Sequence, residues 1–194
     1  MQTIGMIRHV LLSLALLLTP LAANAESTPV NPQVVIKTSE GDITLRLFQD
    51  KAPLTVANFL SYVDSGYYSG TIFHRVIPNF MIQGGGFLPD LTEKESGDPI
   101  KNESKNRLHN TRGTIAMART NDPDSATSQF FINQRNNMRL DWAPGREGYT
   151  VFGEVLLGMD IVDFIATAPT GKVGSFSDVP TEPILVKEIV RVTP

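Results

Sequence analysis

Short runs of β-branched and aromatic residues recur along this chain, each long enough for one strand and each broken off by Gly, Pro, Asn or Asp. Val34-Val35-Ile36-Lys37 and Ile43-Thr44-Leu45-Arg46-Leu47 flank Ser39-Glu40-Gly41-Asp42, a hairpin pattern whose second run alternates apolar and polar. Strand-like pieces follow at residues 71–76, 80–83, 113–118, 129–133 and 150–155, and residues 184–192 alternate again. Such spacing reads as an antiparallel barrel or sandwich. Two helical patterns interrupt it. Val56, Phe59, Leu60 and Val63 fall at i, i+3, i+4 and i+7, with Pro53 suited to the first turn and Gly66 to the end. Met159, Val162, Phe164, Ile165 and Ala166 make the second. The expectation is a mainly β fold with two covering helices.

The N-terminus reads differently. Arg8 precedes an apolar run from Val10 to Leu18, closed by Thr19-Pro20 and the small-residue site Ala23-Asn24-Ala25. That is the anatomy of a secretory signal peptide, 1–25, cleaved after Ala25. The run is shorter than the roughly 20 residues a spanning helix needs, so no stable membrane insertion is expected after cleavage. Residues 26–194 then form a single domain, able to bury roughly 70% of its unfolded surface.

Composition narrows the chemistry. A formal charge of −3 carries no basic excess, which argues against a nucleic-acid partner. Without cysteine there is no disulfide, thiolate nucleophile or cysteine-bound metal. Past the signal peptide only His74 and His109 remain, in no HExxH spacing, and no phosphate-cradling glycine loop occurs, so neither a metal nor a cofactor is expected. The connections 87–112 and 134–148 lack periodicity, and irregular stretches of that length are often functional. The basic stretch Lys101, Lys105, Arg107 and Arg112, diluted by Glu103, reads as a solvated loop.

Three segments carry the remaining signal: FHRVIPNFMIQGG (Phe73 to Gly85), GTIAMA (Gly113 to Ala118) and SATSQFFI (Ser125 to Ile132). Side chains two apart on a strand share a face, so Met81 with Gln83, and Gln129 with Phe131, each present an apolar and an amide-bearing group together. Apolar seats beside fixed polar groups make a ligand site. Parity alone leaves open which of Phe130 and Phe131 faces inward.

These segments resemble the signature strands of the cyclophilin family of peptidyl-prolyl isomerases, and the likeness runs from about Val34 to Val192. It is nearest to bacterial periplasmic members through IKNE (Ile100 to Glu103), NTRGTIAMAR (Asn110 to Arg119) and DSATSQFFIN (Asp124 to Asn133). The resemblance implies a closed eight-stranded antiparallel β-barrel capped by two α-helices, with a packed interior and the active groove on its outer wall. It implies a monomeric enzyme of the periplasm that accelerates X-Pro rotation in unfolded or exported polypeptides. Carried over, Arg75 is the catalytic cation with Gln83 beside it; Phe80, Met81, Phe131 and Leu140 line the proline pocket. Gln129 supplies a polar contact, Ala118 lines the groove, the Arg119 backbone holds the substrate chain, and Tyr149 forms an aromatic wall where many members have histidine. His74 is expected to be a hydrogen-bonded structural residue, because the reaction needs no base. Arg139 stands where many members carry an aromatic, often tryptophan, that contacts cyclosporin, so weak cyclosporin binding is expected. A peptide-binding module using the groove only to hold proline segments is the main rival, and a hydrolase lacks a GxSxG elbow.

Overall fold

The computed structural model describes residues 31–192. The signal peptide and the cleavage after Ala25 lie outside the described residues. Along the chain come β1 (Gln33–Thr38), β2 (Asp42–Leu47), α1 (Pro53–Asp64), β3 (Thr71–Ile72), β4 (Arg75–Ile77), β5 (Met81–Gly84) and β6 (Thr114–Met117). They are followed by β7 (Phe130–Asn133), β8 (Val151–Leu157), α2 (Met159–Ile165), β9 (Thr170–Val173), β10 (Phe176–Pro180) and β11 (Leu185–Arg191). Single turns of 3-10 helix, Ser104–Asn106 and Met138–Leu140, sit in the two long connections.

Nine strands form one antiparallel sheet in the order β3-β11-β1-β2-β8-β6-β7-β5-β4. Its two ends, β3 and β4, are consecutive pieces of the extended stretch 71–77. Thr71 and Ile72 pair with β11, whereas Arg75, Val76 and Ile77 pair with β5. One stretch thus serves both edges, and counting it once gives eight extended segments around a barrel. Edges that would otherwise invite another chain are used up.

Pleating sends alternate residues inward. Val34, Ile36, Ile43, Leu45, Val76, Ile82, Ile115 and Ile132 are fully buried in one interior core. Phe130 joins them, edge-on to Phe59 at 5.8 Å and to Tyr68 at 5.6 Å, which resolves the parity of the Phe130-Phe131 pair. Phe59 comes from α1, which starts on Pro53 as expected, and Val162 and Ile165 of α2 pack into the same core. The interior is therefore filled.

Ala52, at the head of α1, has no side chain that can cap. Glu103 from the first long connection substitutes: its carboxylate accepts from the N–H of Leu54 at 3.1 Å and of Thr55 at 2.8 Å. The basic residues Lys101, Lys105, Arg107 and Arg112 around Glu103 are exposed, in keeping with a solvated stretch, and three of them form surface ion pairs: Lys101 with Asp124, Lys105 with Glu147 and Arg112 with Asp163. The hairpin β9–β10 carries no sequence signal, because β9 is exposed along its whole length and no alternation marks it.

His74 sits between β3 and β4, 5% exposed, with its ring 4.6 Å from Phe87. It was expected to be hydrogen-bonded, but its Nδ1 is buried without a hydrogen-bond partner. Burial, and secondarily the charge of Arg75, lowers its pKa from 6.5 to about 4. Between those values the unfolded chain takes up a proton that the folded chain refuses. The stabilisation is complete above about pH 6.5 and lost as pH falls toward about 4. Urea unfolding should therefore show the native chain losing about 2 to 3 kcal/mol more than His74→Gln between about pH 7 and 4.5; equal losses would refute this account of His74.

Candidate active site

The register of five adjacent strands lines up one outward-facing row. Arg75 lies opposite Gln83, Gln83 opposite Phe131, Phe131 opposite Ala116, and Ala116 opposite Val151. Met81 shares the face of Gln83, two residues away. Met81, Ala116, Phe131 and Val151 form a buried apolar cluster separate from the interior core, flanked by Phe80, Ala118, Leu140 and Tyr149. The outer wall has a small core of its own.

A cavity of about 150 Å³ opens over this cluster. Phe80, Met81, Phe131 and Leu140 give it apolar walls, Ala118 and Tyr149 flank them, and Arg75, Gln83 and Arg119 bring polar groups. A space of that size in a protein accommodates a benzene-sized ring. Every residue singled out from the sequence lines it except Gln129. Gln129 lines an adjoining cavity of about 350 Å³, which shares Gln83, Ala118 and Arg119. The two glutamines are joined, with Gln83 Nε2 donating to Gln129 Oε1 at 3.1 Å. A Cβ on Gly86 would come within 2.5 Å of Gln129 Cγ, so glycine is needed there for Gln129 to lie across the backbone.

Arg75 has its Nε 3.5 Å from Asp178 Oδ2, and both side chains are about half exposed. Such a pair adds little stability but biases where the guanidinium points. Asp178 reaches it because β10 loses its regular register between Phe176 and Val179, with Asp178 itself at φ 60°. Nothing in the local sequence marks Asp178 as a neighbour of Arg75.

Arg119 was expected to contribute its backbone, which forms no hydrogen bond among the described residues. Its side chain has a separate task. Nη2 donates to Glu147 O at 2.7 Å and Nε to Gly148 O at 3.2 Å, while the guanidinium lies 4.6 Å from the Tyr149 ring centroid. Tyr149 in turn stands edge-on to Phe131 at 5.6 Å. Arg119 thereby ties two loops together at the cavity mouth.

A buried amide network, which residue patterns did not reveal, fixes the far wall. Asn137 Nδ2 donates to Phe80 O at 2.9 Å and to Asn133 Oδ1 at 2.7 Å. Asn133 Nδ2 donates to Thr114 Oγ1 at 2.9 Å and to Asn110 Oδ1 at 3.1 Å. Asn110 donates to Asp141 from both its backbone N–H, at 2.7 Å, and its side chain, at 3.0 Å; His109 Nδ1 lies 2.8 Å from the same carboxylate. Burial pushes the Asp141 carboxyl up, yet the hydrogen bonds from Asn110 and His109 outweigh it and hold the group below its ordinary value. Leu140 is held between Asn137 and Asp141. Asn137→Ala would strand the Asn133 amide oxygen and leave the Phe80 carbonyl with the Gln134 N–H alone, so urea unfolding should show a loss of about 1 to 2 kcal/mol; a loss below about 0.5 kcal/mol would mean the network is dispensable.

Arg139 does not enter the 150 Å³ cavity. It is exposed and lines a neighbouring cavity that shares Phe80 and Leu140 with the first.

Comparison with known proteins agrees with this geometry. Residues 33–191 match the family described as cyclophilin type peptidyl-prolyl cis-trans isomerase/CLD. The chain is 54% identical over 156 residues to a peptidyl-prolyl cis-trans isomerase of Acinetobacter baylyi, covering 80% of this chain and 83% of that protein. It is 52% identical over 160 residues to peptidyl-prolyl cis-trans isomerase B of Escherichia coli, covering 80% and 97%. A solved cyclophilin type peptidyl-prolyl cis-trans isomerase of Cryptosporidium parvum superposes with a TM-score of 0.74 at 32% identity, over 84% of this chain and 99% of that one. With its family matched over nearly every described residue and its barrel and outer-wall cavity in place, the chain belongs to the cyclophilin type peptidyl-prolyl cis-trans isomerases.

Proposed function

We propose that this isomerase acts as a monomer on proline-containing segments of exported polypeptides, with Arg75 as the donor that lowers the rotational barrier. One observation carries the reading: the cross-strand pairing of Arg75 with Gln83 sets a guanidinium at the rim of a ring-sized apolar cavity. Export and a periplasmic setting rest on the N-terminal sequence, Arg8 followed by the apolar run and Ala23-Asn24-Ala25.

An amide resists twisting by about 18 to 20 kcal/mol because rotation breaks the resonance between nitrogen and carbonyl. At the twisted transition state the proline nitrogen becomes pyramidal and its lone pair becomes a hydrogen-bond acceptor. A donor aimed there binds the transition state more tightly than either planar isomer. The guanidinium suits this role because it stays protonated and offers its N–H groups in a rigid fan. Asp178 engages Nε, and the two terminal nitrogens form no hydrogen bond among the described residues, so they are available as donors. Phe80, Met81, Phe131 and Leu140 hold the ring still while the preceding carbonyl swings, so bound substrate is pre-oriented for rotation. The Gln83–Gln129 pair offers hydrogen bonds to the flanking backbone, as does the backbone of Arg119. No proton moves and no covalent bond forms.

Exchange spectroscopy on a short X-Pro peptide tests the mechanism. Catalytic amounts of the native chain should speed interconversion, and Arg75→Ala should lose about 10² to 10³ in rate while remaining folded. Near-normal turnover by that variant would exclude the arginine mechanism. Interconversion unchanged by the native chain itself, with resonances merely shifted, would favour a module that only holds proline segments. Arg139 gives a second expectation: without an aromatic at that position, cyclosporin should bind well above the nanomolar range, and a nanomolar dissociation constant in solution would contradict it.

A further inference from the structure

The cavity on the far side of Phe80 and Leu140 has a chemistry that proline binding leaves unused. It encloses about 650 Å³, and Arg135, Arg139, Asn79 and Asn136 line it together with the exposed Met138. No carboxylate is among its walls, although the chain as a whole has 20 acidic residues against 17 basic ones. Neither Arg135 nor Arg139 forms an ion pair or donates a side-chain hydrogen bond among the described residues. Arg46, Arg75, Arg112 and Arg191 are each paired with a carboxylate. Arg119 and Arg146 donate to loop carbonyls. Arg107 is the other arginine left unengaged there, so two of three such arginines face one cavity.

The backbone carrying them is held in place. Gln134 N–H donates to Phe80 O at 2.9 Å, Asn137 N–H to Asn110 O at 2.7 Å, and Asn136 Oδ1 accepts from Arg112 N–H at 2.9 Å. Phe80 and Leu140 form the partition, lining the proline seat on one side and this cavity on the other. A chain leaving the seat over that partition meets two guanidiniums after a few residues, given about 3.3 Å of reach per residue.

We infer that this cavity is a subsite for an acidic side chain of the substrate, about one to three residues to the carboxyl side of the proline. The direction is part of this inference: it rests on the reading above that the Arg119 backbone holds the substrate chain, and assigns that side of the groove to the residues before proline. Two guanidiniums with amides between them suit a carboxylate, which each can engage with paired N–H donors. Screening confines the effect to roughly 8 Å at physiological salt, so the local pair outweighs the net negative charge of the chain.

Dissociation constants for short X-Pro peptides, read by titration, test this independently of turnover. A peptide with Glu two residues after proline should bind about two to ten times more tightly than its Gln counterpart at low salt. The ratio should approach one at high salt and in Arg135→Gln/Arg139→Gln, and the Arg135→Glu/Arg139→Glu chain should prefer Lys at that position. Equal binding of the Glu and Gln peptides by the native chain would overturn the inference. So would a preference for Glu placed before proline instead, or one that persists without the two arginines. The rate of the neutral peptide with Arg75→Ala reports on the rotation mechanism alone, so the two readings fail separately.

Discussion

Closure of the sheet on the stretch 71–77 governs the rest of this molecule. Because that stretch pairs with β11 at one end and β5 at the other, each strand has a side facing an enclosed interior and a side facing out. The interior is taken by Phe59, Tyr68, Phe73, Phe130 and Phe152, fully or almost fully buried. A ligand has no room inside, and the recognition surface must be built on the outer wall. The switch of partners within 71–77 also sets the orientation of Arg75: it follows the buried His74 and alternates with Val76, which points inward.

An outer wall of a sheet is a poor binding site by itself, since it is open and exposed. Here the long connections supply the missing walls and are anchored by polar side chains. Asn102 Nδ2 donates to Gly148 O at 3.1 Å, Gly148 N–H donates to Ser104 Oγ at 3.0 Å, and Asn106 Nδ2 donates to Val151 O at 2.9 Å. Arg119 adds its clamp on the same loop, and Asn137 ties Leu140's turn to Phe80. Loops held this way present fixed groups to a ligand, so less ordering cost falls on binding. The same framework serves the ring-sized cavity and the basic cavity behind it.

Much of this was legible in the residues. Strand-length runs, the position of α1 with Pro53 at its start, and the shared face of Met81 with Gln83 follow from local rules that the structure keeps. The pairing of Phe130 and Phe131 with opposite faces did not follow, because both are buried and both are apolar: Phe130 is 0% exposed and Phe131 4%. Glu103 as the cap of α1, Asp178 beside Arg75 and the amide network through Asn110, Asn133 and Asn137 were equally invisible. Each depends on a partner far along the chain, and polar side chains carry no periodicity that announces one. The hairpin β9–β10 was missed for a related reason: β9 is exposed along its whole length and leaves no alternation to read.

The sequence by itself determined a mainly β fold and the absence of thiol chemistry, and its resemblance to the cyclophilin family picked out the residues that line the outer-wall cavity. The first two depend on side-chain type and on periods of two or 3.6 residues, which are local. Only the tertiary structure decided which cross-strand neighbours meet, that Arg75 lines a cavity of about 150 Å³ beside Gln83, and that Arg139 lines a different cavity behind Phe80 and Leu140. Register and loop docking are set by how the whole sheet closes and packs, and no short window of sequence contains that information.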